Sequence, residues 1–405
     1  MKTRTEAVVL LAGSGAADLS FRLAQVALPL VVLAGTGSVA ATGLVAGMAG
    51  VPMLLSPWWA RRSRQWLATG RRLALMAVLE ALGLALVPAA AQAGHLTVAV
   101  LAAGGLLHGT AEALAAPGRA ALLADTGDRL GPDRAVQLLT WQDGLRRFGM
   151  IAGPGLGALA VAAGWTVPLL WLDAAVVAGA GLLAWSVSGA PADPGDETAP
   201  SIWSAVRTRP EVLRGWVVRG TGCVTWFAFT LGLSVIGADR GRPGVYLAAG
   251  MSGYGVGALA GTAIAVAVVR RWAPRGVACA AWTVVGLVWF AMGVWTRPVA
   301  VGVIAAVAGV AVALGIAAIS AVITRTSAGA ERRALLSGQA VVVNAGAAAG
   351  MLLGGPVIAA LGAEQTLRMT GLLTAVITVA ASVVPDRSRA GAPAAGAPAG
   401  ELSHR

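Results

Sequence analysis

One stretch of the sequence, residues 299–324, reads VAVGVIAAVAGVAVALGIAAISAVIT and contains no charged side chain. Wound as a helix, an apolar segment of this length crosses the ~30 Å hydrocarbon core of a bilayer. Similar runs recur along the whole chain, and none alternates apolar with polar residues as a transmembrane strand would. The sequence therefore predicts an all-α membrane protein with many spans.

The composition agrees with a membrane location. Hydrophobic residues make up 57% of the 405 residues and charged residues 12%, and the mean hydropathy is +0.76. A soluble protein needs far more charge to cover its surface. The net charge of +12 would suit nucleic acid, but the arginines lie in short clusters between hydrophobic runs and form no basic domain. We therefore expect a lipid bilayer, and no nucleic acid, as a partner.

The distribution of arginine predicts the orientation of the spans. Under the positive-inside rule, connections rich in arginine face the cytoplasm. Arginines fill alternate connections here, which places both termini in the cytoplasm, requires an even number of spans and indicates the cytoplasmic membrane. About twelve spans fit the hydrophobic runs. They lie near 7–33, 39–60, 72–91, 96–117, 135–164, 166–188, 211–238, 243–269, 277–296, 299–324, 335–362 and 365–385.

A polar segment divides the chain into two halves. Residues 189–210 mix acidic residues with prolines and are interpreted as a cytoplasmic linker. The predicted domains are an N-terminal six-helix bundle over 1–188, this linker, a C-terminal six-helix bundle over 211–385 and a tail over 386–405. The tail contains AGAPAAGAPAG and is expected to be disordered. No small-residue cleavage site follows the first apolar run, so we expect that run to be retained as a span.

Two short motifs occur once in each half. LVAGMAG at 44–50 recurs as LAAGMSG at 247–253, and GMIAGP at 149–154 recurs as GMLLGGP at 350–356. Each copy lies in the corresponding span of its half. A six-span unit repeated in the same orientation gives halves related by an axis along the membrane normal, with a binding site at mid-membrane between them.

The fifth span carries a glycine face. Gly149, Gly153 and Gly157 are spaced four apart, so they share one side of a helix and allow close approach of another backbone. Pro154 removes one helical hydrogen bond and bends the helix. These residues predict a gating or structural motif, although ordinary tight packing would use the same pattern.

Several segments together resemble a known family. GMIAGPGLGA at 149–158 is similar to a glycine-proline motif of antiporters, ALP at 27–29, TGS at 36–38 and GLV at 43–45 to a first hairpin, and APGRAALLAD at 116–125 to a link between the fourth and fifth spans. The family is the major facilitator superfamily, in its branch of enterobactin exporters and macrolide efflux pumps. The resemblance implies the major facilitator fold, with twelve helices in two six-helix bundles, alternating access and proton-driven efflux.

Charged residues at the centre of a span cost about 2.5–3.5 kcal/mol each, so those that are present need an explanation. Asp18, Arg22 and Gln25 share one face of the first span. They either form a self-neutralising pair with a hydrogen bond to another helix, or line a central cavity. As a proton carrier, Asp18 would require Arg22 to be drawn away in one conformation.

Three further residues join Asp18 as candidates for proton coupling. His108 and Glu112 are one helical turn apart in the fourth span, where a proton relay and simple solvation near the cytoplasmic end explain them about equally well. Glu80 in the third span has no cation one turn away, which favours it as a proton acceptor.

The remaining polar residues of the spans are assigned by depth and spacing. Asp143 is spaced to pair with Arg146 and Arg147, either as a salt-bridge lock or at a substrate contact. Arg219 is expected to neutralise an acid of the first half, and Asp173 to lie at the outer interface. Deep tryptophans either face the substrate or pack against lipid and other helices. Candidates for the cavity are Arg22, Gln25, Trp141, Arg146, Arg219, Trp226, Gln339 and Asn344, and the gating or structural motif comprises Asp143, Arg147, Gly149, Gly153, Pro154 and Gly157.

No soluble catalytic constellation is found in the sequence. The three histidines have no zinc spacing, the two cysteines lie in apolar spans, and no phosphate-binding loop occurs. We therefore expect no enzymatic activity, no cofactor and no metal, with an ion gradient as the energy source.

The function predicted from the sequence is proton-coupled export of a small amphipathic molecule by a chain that acts as a monomer. An antibiotic, a siderophore or another metabolite fits that description, and import stays open. One alternative is a membrane-embedded enzyme or lipid-handling protein that uses the same bundle. Another is a non-transporting sensor relic, because the loop at 56–64, SPWWARRSR, lacks the aspartate that the superfamily carries between its second and third spans.

Overall fold

The structure is a computed structural model that describes residues 2–59, 69–131, 134–187, 202–327 and 329–383. Within those ranges the chain forms fourteen helices, which confirms the all-α prediction. They are α1 (Lys2–Thr36), α2 (Val39–Thr42), α3 (Leu44–Trp59), α4 (Gly70–Gln92), α5 (Val98–Asp128), α6 (Arg134–Ala162), α7 (Thr166–Ala184), α8 (Ile202–Arg207), α9 (Pro210–Asp239), α10 (Val245–Arg271), α11 (Pro274–Val294), α12 (Pro298–Thr326), α13 (Gly329–Leu361) and α14 (Ala363–Val383).

Most of these helices suit a bilayer. Ten helices of the described chain are long and apolar enough to cross a membrane. Two predicted spans fall outside that number: the span at 39–60 is divided at Gly43 into α2 and α3, and the span at 135–164 is α6, whose first half is charged. Every span predicted from the sequence therefore has a helical counterpart. The predicted linker is described only from 202, where α8 forms and buries Ala205 and Val206, and the predicted tail lies outside the described residues.

The first two spans meet at a tight turn. Gly37 adopts a positive φ of 63°, which glycine tolerates because it has no Cβ. Ser38 then caps α2, since its Oγ accepts a hydrogen bond from the backbone N–H of Ala41 at 3.3 Å. The segment TGS therefore ends one helix and begins the next.

One helix is longer than predicted. α5 continues to Asp128, whereas the sequence placed the end of the fourth span at 117. The segment APGRAALLAD, interpreted as a link, is helical because its alanines and leucines favour helix. The correction matters for the site, because it keeps Arg119 on the same helix as His108 and Glu112.

The glycine face of α6 packs against α1. A Cβ added to Gly153 would lie 2.5 Å from the Cβ of Arg22, and one added to Gly157 would lie 2.7 Å from the carbonyl oxygen of Leu23. Gly149 approaches the backbone of Leu19 at an ordinary 3.6 Å. The predicted close approach of a second helix is confirmed at Gly153 and Gly157, and the contact positions the charged part of α1.

Two seams join the halves. In the first seam α3 packs against α13, where a Cβ added to Gly47 would lie 2.5 Å from Leu352 Cγ. In the second seam α6 packs against α10, where Ser252 Oγ donates to the carbonyl oxygen of Ile151 at 3.0 Å. All four repeated sequence motifs contribute to these contacts. We call the end of the bundle where α3 begins the far end, and the end where α1 begins the terminal end. Both seams extend from the middle of the helices towards the far end.

Candidate functional site

A cavity of about 310 Å³ lies between the two halves. Its wall comes from α1, α2, α3, α4, α5 and α7 of the first half and from α9, α10 and α13 of the second. Most of the lining side chains are apolar, and a few polar groups are placed among them. This arrangement is typical of small-molecule sites, which combine an apolar wall with a small number of orienting polar groups.

Four of the residues assigned from the sequence to the cavity or to proton coupling line this cavity. They are Gln25, His108, Trp226 and Asn344. The two halves both contribute, because the first two residues come from α1 and α5 and the others from α9 and α13. The cavity therefore lies between the two halves of the chain, while its depth in the membrane stays a prediction.

Other cavity candidates lie elsewhere in the described chain. Trp141 is 62% exposed on α6, and Arg146 is exposed on the same helix. Neither Arg219 nor Gln339 is among the described residues that line the cavity. Gln339 is instead buried, and its Oε1 has no hydrogen-bond partner in the part of the chain that the structure describes. These side chains were assigned by span depth and, for Arg146, by spacing and family resemblance, none of which fixes the direction in which a helix presents them.

The partner predicted for Arg219, an acid of the first half, is not found among the described side chains. Arg219 makes no ion pair with a described residue. The side chains of Asp143 and Arg147 lie outside what the structure describes, so the lock proposed for them stays a prediction.

The polar face of α1 has one clear arrangement. Arg22 Nη1 donates to Gln25 Oε1 at 3.2 Å, and the guanidinium lies 5.3 Å from the centre of the Phe21 ring. The hydrogen bond of Arg22 thus goes to Gln25 rather than to Asp18. The buried Nε of Arg22 has no hydrogen-bond partner among the described residues. Of the two interpretations of this face, the cavity-lining one holds for Gln25, while Arg22 stands beside the cavity.

Asp173 corrects a second expectation. The sequence placed this residue at the outer interface, but it is only 3% exposed and lines the cavity. Its Oδ1 accepts a hydrogen bond from Ser20 Oγ at 2.7 Å, which joins α7 to α1. No local spacing in the sequence could have revealed this pair, because its members are far apart in the chain and meet only through tertiary packing.

A charged cluster extends from the cavity wall towards the terminal end. Arg119 Nη1 donates to Glu80 Oε2 at 3.2 Å, and Arg119 Nη2 contacts Glu112 Oε2. His108 Nδ1 lies 3.7 Å from Glu80 Oε1, and His108 also lines the cavity. The cluster therefore links the cavity to a buried carboxylate and then to a guanidinium further along α5.

Arg119 is the member that the sequence interpretation missed. Glu80 has no cation one turn away on its own helix, but α5 supplies one from beside it. A signal was available, since residues 108, 112 and 119 are spaced to lie on one face of a continuous helix. It was hidden because the Pro-Gly pair before Arg119 was interpreted as the end of the span.

The four candidates for proton coupling lie in one region of the first half. Glu80, His108 and Glu112 belong to the charged cluster. Asp18 on α1 lies within electrostatic reach of Glu112 and Arg119 as well as of Arg22. The structure thus brings together groups from α1, α4 and α5, whereas the sequence of each helix alone could not show that they are neighbours.

Ion pairs at the two ends tie helices of the second half together. At the terminal end, Arg209 Nε and Nη2 each donate to a carboxylate oxygen of Glu331 at 2.8 Å. The hydrogen bond raises the pKa of Arg209 and lowers the pKa of Glu331. At the far end, Arg240 donates to Glu364 at 2.5 Å and to the hydroxyl of Tyr246 at 3.1 Å, and the Tyr246 contact raises its pKa. Both pairs lie within the second half, and neither joins the two halves.

Comparison with solved structures identifies other proteins with this arrangement of helices. The nucleoside transporter NupG superposes with a TM-score of 0.75 at 12% sequence identity, over 93% of this chain and 98% of that one. The human organic anion transporter MFSD10 (TETRAN) gives a TM-score of 0.59 at 15% identity, over 94% of this chain and 100% of that one. No protein-family model and no curated protein matches the sequence.

A third structure has the same arrangement. It is a bacterial homologue of the human lysosomal transporter Spinster, in an inward-facing and unoccupied conformation, with a TM-score of 0.66 at 14% identity over 94% of this chain and 95% of that one. The chain is therefore an all-helical membrane protein with the major facilitator fold.

Proposed function

We propose that this protein is a secondary-active transporter that exports a small amphipathic molecule in exchange for protons. The observation that carries the proposal is the cavity of about 310 Å³ between two halves that touch along seams near the far end. Alternating access needs such a site and such seams, because the halves must close on one side of the bound molecule and part on the other. The mostly apolar wall suits an antibiotic, a siderophore or another amphipathic metabolite.

The charged cluster supports protons as the coupling ion. Its two carboxylates, Glu80 and Glu112, face one guanidinium, Arg119. Among the described residues of the cluster, one negative charge is left without an arginine partner, and a proton bound to the cluster would neutralise it inside the membrane. His108 lies between Glu80 and the cavity, so protonation of the cluster and occupancy of the cavity are within reach of each other.

Orientation and direction are further parts of the proposal. The alternation of arginine-rich connections supports a place in the cytoplasmic membrane with both termini in the cytoplasm. The resemblance to exporters of the superfamily supports efflux. The division into two six-helix bundles, with the linker between them, belongs to the same proposal.

The test uses protein reconstituted into liposomes with an imposed pH gradient and three fluorescent amphiphiles: ethidium, Nile red and anilinonaphthalene sulfonate. We expect the gradient to drive accumulation of at least one probe, and a protonophore to abolish it. Failure of every probe to accumulate, together with no ligand-dependent stabilisation, would favour the sensor alternative. Turnover of a lipid without any gradient would favour the enzyme alternative.

The coupling residue is tested in the same assay. We expect Glu80→Gln to abolish proton-driven accumulation while facilitated exchange of the probe without a gradient persists, because the cluster then has no excess carboxylate to protonate. Asp18→Asn provides the competing arm: if it alone removes coupling, the proton is carried on α1 and not by the cluster. Glu211→Gln, at the start of α9 and away from the cavity, is the control.

A further inference from the structure

One carboxylate in the cavity has no cation beside it. Asp173 is buried on α7, lines the cavity and makes no ion pair with a described residue. Its partner is the neutral hydroxyl of Ser20, at 2.7 Å. A buried carboxylate is stable as an anion only when a cation or several hydrogen-bond donors compensate its lost hydration. One hydroxyl falls short of that requirement.

The described side chains of the surrounding helices do not supply the missing charge. On α1, the hydrogen bond of Arg22 goes to Gln25. On α4 and α5, Arg119 is engaged by Glu80 and Glu112. The described residues that line the cavity include neither arginine nor lysine, and His108 lies against Glu80. A cation that enters the cavity can therefore supply the missing charge, and a bound proton is the competing way to neutralise the carboxylate.

The second half offers an aromatic wall to the same space. Trp226 lines the cavity, and its ring centre lies 5.0 Å from that of Phe229, 5.1 Å from Tyr254 and 6.0 Å from Trp289. This packing holds the indole in place. An aromatic face attracts a cation within about 6 Å of its centre and also packs against apolar groups. The cavity thus combines one anion with a fixed aromatic surface.

We propose that the cavity selects a monocationic amphipathic molecule, whose positive group docks on Asp173 and whose apolar body packs against Trp226. Ser20 is a positioning residue, since its hydroxyl holds the carboxylate in place. The cavity volume, about 310 Å³, is at the lower end of the range for small-molecule sites, so a compact cation fits better than a large one. This inference rests on the proposed transport function and names its substrate class.

The test measures binding to the purified full chain in detergent at pH 8, with no gradient. The probes are N-benzylpyridinium, which is permanently cationic, and 4-benzylpyridine, a neutral molecule of the same size and shape. Affinity is read from the rise in unfolding temperature with probe concentration. We expect the cation to bind about tenfold tighter than the neutral probe, as for one electrostatic contact of a cation in a site with an aromatic face. Equal affinities would overturn the proposal.

Two variants test whether Asp173 is the carboxylate that recognises the cationic probe. Asp173→Asn keeps an acceptor for Ser20 and is expected to lose the cation preference, while Asp239→Asn, an exposed acid at the end of α9, is expected to keep it. Preference retained in Asp173→Asn would overturn the assignment. Should that variant not fold, Trp226→Leu serves instead: it must lose more affinity for the cation than for the neutral probe.

The binding assay separates this inference from the proposed function. A cation preference that depends on Asp173, in a protein that moves no probe across a membrane, would sustain the site and defeat transport. Gradient-driven transport with no cation preference in the binding assay would support the transport function and overturn the cation site.

Discussion

At the scale of single residues, the charged cluster depends on one guanidinium shared by two carboxylates. Arg119→Gln leaves Glu80 and Glu112 without a cation, so we expect it to lower the free energy of unfolding by about 1–3 kcal/mol, the cost of losing hydrogen bonds to charged groups. The side chain of Arg119 is 34% exposed, which limits the loss. Thermal or denaturant unfolding in detergent measures it, with Arg71→Gln, an exposed arginine at the start of α4, as the control.

The same cluster allows a sharper test by a double substitution. Glu112→Gln in the Arg119→Gln background removes the repulsion between the two carboxylates, so the double variant should be more stable than Arg119→Gln alone. The coupling between the two sites is expected to be about 0.5–3 kcal/mol. Additive effects would show that Arg119 and Glu112 do not interact as the structure places them.

At the scale of elements, the Arg209–Glu331 pair joins the start of α9 to the start of α13. The pKa of Glu331 is lowered by its hydrogen bond with Arg209, so the stabilisation is present above the ordinary glutamate pKa of about 4.3 and is lost as pH falls through the lower folded value. We therefore expect wild type to exceed Glu331→Gln in unfolding temperature at pH 7, and the difference to vanish in acid. Glu211→Gln is the control, because it removes a nearby carboxylate that has no hydrogen bond to Arg209, and it should show no such pH-dependent difference from wild type. If the difference between wild type and Glu331→Gln persisted in acid, it would contradict the ion-pair account.

Elements also show what the sequence could and could not predict. Span positions and the glycine face of α6 follow from hydropathy and helical spacing, which are local properties. The Glu80–Arg119 and Ser20–Asp173 contacts join different helices, and their formation depends on how the helices pack and rotate. The end of α5 was wrong for a local reason, because a Pro-Gly pair outweighed the helix-forming residues after it. The residues predicted to line the cavity do so only where the rotation of the helix also directs their side chains towards it.

At the scale of the whole molecule, the repeated motifs form the seams that would have to open in the proposed transport cycle. Gly50 lies in the first seam, where an added Cβ would be 2.4 Å from the Cβ of Ala348. Gly50→Leu should therefore force α3 and α13 apart and hold the far end open. Gly179→Leu is the matched control, because an added Cβ on that helical glycine meets nothing within 4 Å.

A cysteine in the other half reports whether the opening is collective. Leu247 on α10 is 1% exposed and lines the cavity, so Leu247→Cys, with Cys223 and Cys279 replaced by alanine, should react slowly with a membrane-impermeant maleimide added from the far side. If the halves move as bodies, Gly50→Leu on α3 speeds that reaction although Leu247 belongs to the opposite half, and Gly179→Leu leaves it slow. A labelling rate that Gly50→Leu does not change would mean that the first seam relaxes locally, and the two halves would then lack the coupled motion on which a transport cycle depends.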